Sequence, residues 1–137
     1  MENRIIDKDI PILYVTATSF PEGILDAFEK LHVHIPFSPE RSFYGLSRPE
    51  NGRGTVYKAA AEVKAPDEAR KFKLDTMVIP QGKYIAESVH NFRDDVSLIG
   101  KTFEKLLEHP NLDPQGYCVE WYLPDDRDVI CMVRVVE

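Results

Sequence analysis

The residue in this sequence best placed to do chemistry is Glu120, because it interrupts a segment that is otherwise largely apolar. Residues 117–123 are rich in aromatic and β-branched side chains, and a polar turn at 124–127 joins them to a similar segment, 128–136. This pattern predicts a β-hairpin in which Glu120 lies opposite Cys131. An unpaired carboxylate removed from water costs several kcal/mol, so an Arg or Lys side chain, tyrosine hydroxyls or a cationic ligand must offset that cost.

Two kinds of chemistry suit such an acid. A desolvated carboxylate attracts a cation, and each aromatic face adds roughly 0.5–2 kcal/mol through cation–π contact. A carboxylate whose pKa is raised by burial can instead act as a general base on water. We predict ligand contacts from Glu120, Tyr122 and Tyr44. Trp121 is a further candidate, although strand alternation puts it on the face opposite Glu120. In a hydrolase, Glu120 would be the catalytic residue.

Structural roles compete with these functional ones. Glu120 could pair with Arg134 or Lys58 inside the sheet, because buried charges are usually paired. The other tyrosines on predicted strands are typical of a core or a rim: Tyr14, Tyr57 and Tyr84.

Composition limits the class of protein. The chain has 137 residues, 43% hydrophobic and 29% charged, which predicts one domain over 1–137 with its core at about 10–136. A net charge of −6 without a basic patch argues against direct nucleic-acid binding. The sequence has no signal-peptide pattern and no membrane-length apolar run, so we expect a cytoplasmic protein with two reduced cysteines. His32 and His34 lack the further ligands of a metal site, and we expect no metal and no cofactor.

A weak internal duplication organises the chain. The motif Phe28-Glu-Lys-Leu31 recurs as Phe103-Glu-Lys-Leu106. The predicted elements around each copy have the same order, strand–helix–strand–strand. Two such units predict an α+β fold. Its mainly antiparallel sheet would carry two helices on one face and a ligand groove on the other, within reach of Glu120.

The chain resembles the gyrase-inhibitor-like small-molecule-binding domain, the effector-binding module also fused to MerR-type and AraC-type transcription activators. The resemblance covers nearly the whole chain and rests on these segments: Ile10-Pro11, Tyr44-Gly45, Tyr57-Lys-Ala-Ala-Ala-Glu-Val63, Ile79-Pro-Gln-Gly-Lys-Tyr84 and Gly116-Tyr-Cys-Val-Glu-Trp-Tyr122. The resemblance implies that Glu120 and Tyr122 lie at the floor of an aromatic pocket that pairs with lipophilic cations. Two features depart from the family pattern, the bulky run His90-Asn-Phe92 and the aromatic Trp121.

Three functions follow from this resemblance. The first is a binding protein for a hydrophobic, cationic small molecule, as in multidrug-binding effector domains. The second is a hydrolase of small electrophilic compounds that uses Glu120 as its base. The third is a protein-interaction module with a partner such as DNA gyrase or a regulator. The sequence contains no helix-turn-helix pattern, so we expect no direct DNA binding.

Overall fold

The computed structural model describes residues 1–50, 52 and 54–136. The strands in these ranges are β1 (Glu2–Ile6), β2 (Ile10–Thr16), β3 (Phe43–Glu50), β4 (Gly54–Glu62), β5 (Asp75–Ile79), β6 (Gly82–Val89), β7 (Cys118–Tyr122) and β8 (Val129–Arg134). The helices are α1 (Ile24–His34), α2 (Glu68–Phe72) and α3 (Ser97–Leu106), and a 3₁₀ turn spans Phe92–Asp94. None of the helices in the described ranges has the length and apolarity needed to cross a bilayer.

All of these strands belong to one antiparallel sheet, in the order β1-β6-β8-β7-β3-β4-β2-β5. The order is symmetrical about the β7–β3 pair. Counted outward from this pair, the strands are β3, β4 and β2 on one side and β7, β8 and β6 on the other. Each half is therefore one strand–helix–strand–strand unit, and the predicted α+β architecture is confirmed.

The two longer helices cover the same face of the sheet, called here the helix face. Helix α1 buries Ala27 and Leu31 against β2, β3 and β4, and α3 buries Phe103 and Leu106 against β6 and β8. The buried positions follow helical spacing, and the outer side is mostly polar, although Leu25 and Val33 of α1 are exposed. The repeated Phe-Glu-Lys-Leu motif thus contributes an equivalent Phe and Leu to the inner side of each helix.

The opposite side of the sheet, called here the far face, has an apolar core of its own that strand residues provide. Its buried members are Ile12, Tyr44, Leu46, Ala60, Ile79, Tyr84, Ala86, Val119, Ile130 and Met132. A cavity of about 80 Å³ opens on this face, where the groove was expected. These two cores explain why the hairpin of β7 and β8 is apolar on both sides.

Some local features differ from the sequence prediction. No strand was expected before Ile10, but β1 pairs with β6 as an edge strand, where its polar residues reach solvent. The sequence predicts a charged connector at 65–71, either a solvated loop or a single helical turn; the structure has the short helix α2 there, followed by Lys73 in a left-handed conformation. The sequence also predicts a turn at 48–54, but β3 continues to Glu50, and Asn51 and Arg53 lie outside the described residues.

Candidate functional site

The hairpin of β7 and β8 places Glu120 at the centre of the sheet, on the helix face. Its Cα pairs with Cys131 on one side, as predicted, and with Gly45 on the other. The turn at 124–127 fixes this register, since Leu123 N–H donates to the carbonyl of Asp128 at 3.1 Å. Glu120 is only 8% exposed. The carboxylate therefore lies at the seam between the two halves.

Two tyrosine hydroxyls hold one oxygen of this carboxylate. The Tyr57 hydroxyl, from β4, donates to Glu120 Oε1 at 2.9 Å, and the Tyr122 hydroxyl, from β7, donates to the same atom. Oε2 accepts no hydrogen bond from the described residues. One oxygen is thus fixed by the protein while the other is left for a donor or a cation.

Gly45 makes the contact with Tyr57 possible. Tyr57 lies two strands away from Glu120, so its ring must cross β3 to reach the carboxylate. A Cβ atom at position 45 would lie 2.0 Å from the Tyr57 hydroxyl oxygen and 2.7 Å from Glu120 Oε1. Such distances are far inside van der Waals contact, so any side chain here would displace the hydroxyl.

Aromatic rings surround the carboxylate and its two tyrosines. Phe28 of α1 lies 5.7 Å from the ring of Tyr122 in an edge-to-face arrangement, and Phe92 lies 5.5 Å from that ring. Phe20, in the loop before α1, stacks on Tyr57 at 5.9 Å. We call this group the aromatic cluster: Phe20, Phe28, Tyr57, Phe92 and Tyr122. Such rings present π faces that attract cations.

Burial dominates the electrostatics of the site. It raises the pKa of Glu120, and the hydrogen bonds from Tyr122 and Tyr57 lower that pKa only in part. The pKa values of Tyr57 and Tyr122 are raised well above the ordinary value, because burial and the adjacent carboxylate both oppose a phenolate. Both tyrosines therefore stay protonated and remain donors to Glu120.

The cationic partners considered for Glu120 lie elsewhere. Lys58 is on the far face, where its Nζ donates to the Tyr117 hydroxyl at 2.9 Å. Arg134 is also on that face and binds Asp113 at 3.1 Å. In the described part of the chain, no salt bridge neutralises Glu120.

Two free thiols flank the carboxylate on the helix face. Cys131 lies directly opposite Glu120, and Cys118 lies two residues before it on the same strand face. Burial first, and the nearby carboxylate second, raise the pKa of Cys118 to about 11. The same two causes are the largest of those that raise the pKa of Cys131 to about 12. Both sulfurs are therefore thiols at neutral pH, with little nucleophilic character.

The structure brings together only part of the predicted site. Glu120 and Tyr122 share the helix face and a hydrogen bond. Tyr44 pairs with Trp121 across β3 and β7, so both point to the far face, where their rings stack at 6.4 Å. Placing Tyr44 and Trp121 in one pocket with Glu120 is therefore wrong, because the alternation of side chains separates them by the thickness of the sheet. For the same reason Glu120 does not open into the far-face groove.

The remaining members of the site were not singled out from the sequence. The sequence pattern predicts a core or rim position for Tyr57 and no functional role for Phe20, Phe28 or Phe92. Gly45 carried one usable signal, since glycine inside a strand often marks a close approach of other groups. The phenylalanines come from a loop, a helix and a 3₁₀ turn, so their convergence depends on the tertiary fold.

The fold and the site define a class: a duplicated α+β sheet with a buried carboxylate, held by two tyrosines, at the seam between its halves. Several solved structures share the fold. An integron cassette protein from the mobile metagenome of Vibrio cholerae has a TM-score of 0.66 at 16% identity, over 98% of this chain and 95% of that one. The protein SAV2435, solved with bound tetraphenylphosphonium, also has a TM-score of 0.66 at 12% identity, over 99% of this chain and 94% of that one.

A hydrolase from Listeria innocua is a more distant structural match. Its TM-score is 0.51 at 11% identity, over 98% of this chain and 91% of that one. No protein-family model matches the sequence, and no curated protein matches it. At these identities the similarity concerns the fold.

Proposed function

We propose that this chain is a cytoplasmic binding protein for hydrophobic organic cations, folded as one gyrase-inhibitor-like effector-binding domain. The observation that carries the proposal is the buried Glu120 carboxylate, which has tyrosine hydroxyls and aromatic rings around it instead of a cationic side chain. The neighbour SAV2435 is bound to tetraphenylphosphonium, a cation of this chemistry, and shares the fold.

The balance of charge favours a cationic ligand. Two neutral hydroxyls compensate only part of the cost of burying a carboxylate, as the raised pKa of Glu120 reflects. A cation bound at Oε2 would offset the rest of the cost of burying the carboxylate. At about 4 Å, such a pair is worth about 4 kcal/mol with an effective dielectric constant of about 20. The aromatic cluster would then provide apolar area and cation–π contacts for the body of the ligand.

Access to Glu120 requires part of the aromatic cluster to move. Phe92 is buried, and Phe28 belongs to the regular helix α1. Phe20 belongs to the loop that precedes α1 and is 40% exposed, so its ring has the fewest restraints. We propose that Phe20 swings away from Tyr57 when a ligand enters, and that its ring then packs against the ligand.

The test is a calorimetric titration of tetraphenylphosphonium into the wild type, Glu120→Gln and Glu104→Gln. Glu104 is exposed on α3, so its substitution removes the same charge away from the site. Glu120→Gln should weaken binding about tenfold or more, and Glu104→Gln should leave it unchanged. Triphenylphosphine oxide, a neutral aromatic compound, should bind both variants alike. Equal affinity of the wild type and Glu120→Gln for the cation would refute the proposal.

Hydrolysis is a second candidate function, because the pKa of Glu120 is raised by burial, as a general base requires. Glu120 would take a proton from water through Oε2 as the water oxygen attacks a carbon of the epoxide, and would then return that proton to the oxygen of the opened ring. The hydroxyls of Tyr57 and Tyr122 would hold Oε1 in place throughout. Incubation with glycidol, an epoxide, tests this idea. Ring opening that is catalysed by the wild type and lost in Glu120→Gln would favour a hydrolase, whereas binding of tetraphenylphosphonium without turnover would favour the binding protein.

A further inference from the structure

The far-face cavity is a second candidate site, separated from Glu120 by the sheet itself. Its volume is about 80 Å³, and its wall is mostly apolar. The lining residues that matter here are Leu46, Ile79, Tyr84, Tyr117, Val119 and Arg134. None of them belongs to the aromatic cluster, so the two sites share no lining residue among those described.

Lys58 does not line this cavity, but it bonds to Tyr117, which does, and no described acidic side chain pairs with it. Lys58 lies opposite Leu46 in the β3–β4 pair, and its Nζ is 2.9 Å from the Tyr117 hydroxyl and 3.9 Å from Met77 Sδ. The ammonium also lies 4.7 Å from the centre of the Tyr14 ring. Among the described residues, no carboxylate oxygen lies within 4.0 Å of Lys58 Nζ.

The other described cations on the strands of this face each have an acidic partner, and Arg4 binds Glu2 at 3.1 Å. Arg134 binds Asp113 at 3.1 Å and donates to the carbonyl of Gln81 at 3.0 Å. Arg48 binds Glu50 at 3.2 Å. Lys58 is therefore the charge on this face that an external anion would balance.

Tyr117 adds a directed donor to this charge. Its hydroxyl oxygen accepts from Lys58 Nζ, so its own hydrogen points away from the lysine. That hydrogen has no acceptor in the described part of the chain. An ammonium and a hydroxyl that donate side by side match the two oxygens of a carboxylate.

We propose that the far-face cavity binds a short aliphatic carboxylate, with its head group on Lys58 and Tyr117 and its hydrocarbon chain against Leu46 and Val119. The size of the chain follows from the volume. An apolar cavity of about 150 Å³ accommodates benzene, so about 80 Å³ accommodates about three or four carbon atoms. The two faces of the sheet would then select ligands of opposite charge.

The experiment is a titration of butanoate followed by the amide chemical shifts of the ¹⁵N-labelled protein. Saturable shifts should appear on β3, β4 and β7 beside the cavity, with a dissociation constant in the millimolar range. Lys58→Met keeps most of the aliphatic stem and removes the charge, and it should weaken butanoate binding about tenfold. Tyr117→Phe removes only the hydroxyl and should weaken it by a smaller factor.

Matched ligands and a matched variant make the outcome specific. Butan-1-ol should bind the wild type and Lys58→Met alike, because it has no charge for the lysine to recognise. Glu120→Gln should bind butanoate as the wild type does, so the result does not depend on the cation site. The absence of saturable shifts in the folded wild type would overturn the proposal. An unchanged affinity for butanoate in both Lys58→Met and Tyr117→Phe would also overturn the proposal.

Discussion

Replacing Gly45 with alanine should disrupt the centre of the site through one methyl group. The added Cβ would lie 2.0 Å from the Tyr57 hydroxyl oxygen, where ordinary contacts begin at 3.4 Å, so the hydroxyl must retreat by more than an ångström. That movement breaks the bond to Glu120, which costs about 1.5–3 kcal/mol for a charged acceptor. Overpacking adds about 1–3 kcal/mol. We expect a total loss of about 3–5 kcal/mol in the free energy of unfolding.

Urea unfolding followed by circular dichroism measures this loss, and Gly100→Ala is its matched control. A Cβ at Gly100 meets no atom within 4 Å, and the residue is exposed inside α3. Alanine there should stabilise the protein by about 0.5–1 kcal/mol, because glycine is a poor helix former. Tyr57→Phe removes the closest contact, so the double variant with Gly45→Ala should lose less stability than the sum of the single changes. A Gly45→Ala protein within about 0.5 kcal/mol of the wild type would refute the proposed crowding.

Three further predictions concern buried titratable groups. Burial raises the pKa of Glu120 above 4.5, so ionising this group destabilises the fold. Glu120→Gln should therefore be more stable than the wild type at pH 8, and the difference in stability should vanish below pH 4.5. Urea unfolding at both pH values measures this difference. Arg41 donates hydrogen bonds to Glu68 and holds the pKa of Glu68 at about 2. Glu68→Gln should therefore lower the free energy of unfolding by about 3 kcal/mol at neutral pH, and in the wild type this stabilisation should be lost as the pH falls from 4.5 toward 2. An unchanged urea midpoint of Glu68→Gln at pH 7 would contradict this. Cys118 and Cys131, with pKa values of about 11 and about 12, should resist iodoacetamide at pH 8 in the folded protein and react in urea, as mass spectrometry would record.

The sequence predicts those parts of the fold that local patterns determine. The hairpin register follows from a short turn and from side-chain alternation, so the pairing of Glu120 with Cys131 is predictable. The two helices and the duplicated order follow from periodicity and from a repeated motif. The edge strand β1 lacks this signal, because none of its residues is fully buried and its sequence shows no apolar face.

The composition of the site depends on the order of strands, which local patterns do not contain. Alternation along one strand separates Trp121 from Glu120, but Tyr44 can be assigned to the face of Trp121 only once β3 is known to pair with β7. Tyr57 reaches Glu120 across an intervening strand, and only a glycine on that strand permits the contact. Both facts concern residues far apart in the sequence, whose relationship is set by the tertiary fold.

The position shared by Gly45 and Glu120 carries a consequence for the origin of this domain. The offset between the repeated motifs makes the two residues equivalent, and the β3–β7 register makes them face each other. A residue on a twofold axis always meets its own copy. In a homodimer of identical half-chains, this position would bring together either two glutamates, which repel, or two glycines, which carry no charge. Gene duplication and fusion remove this restriction, because one copy can retain an acid while the other provides the space that its tyrosine partner needs. A lone carboxylate at this seam is therefore a property that a homodimer of identical half-chains cannot have.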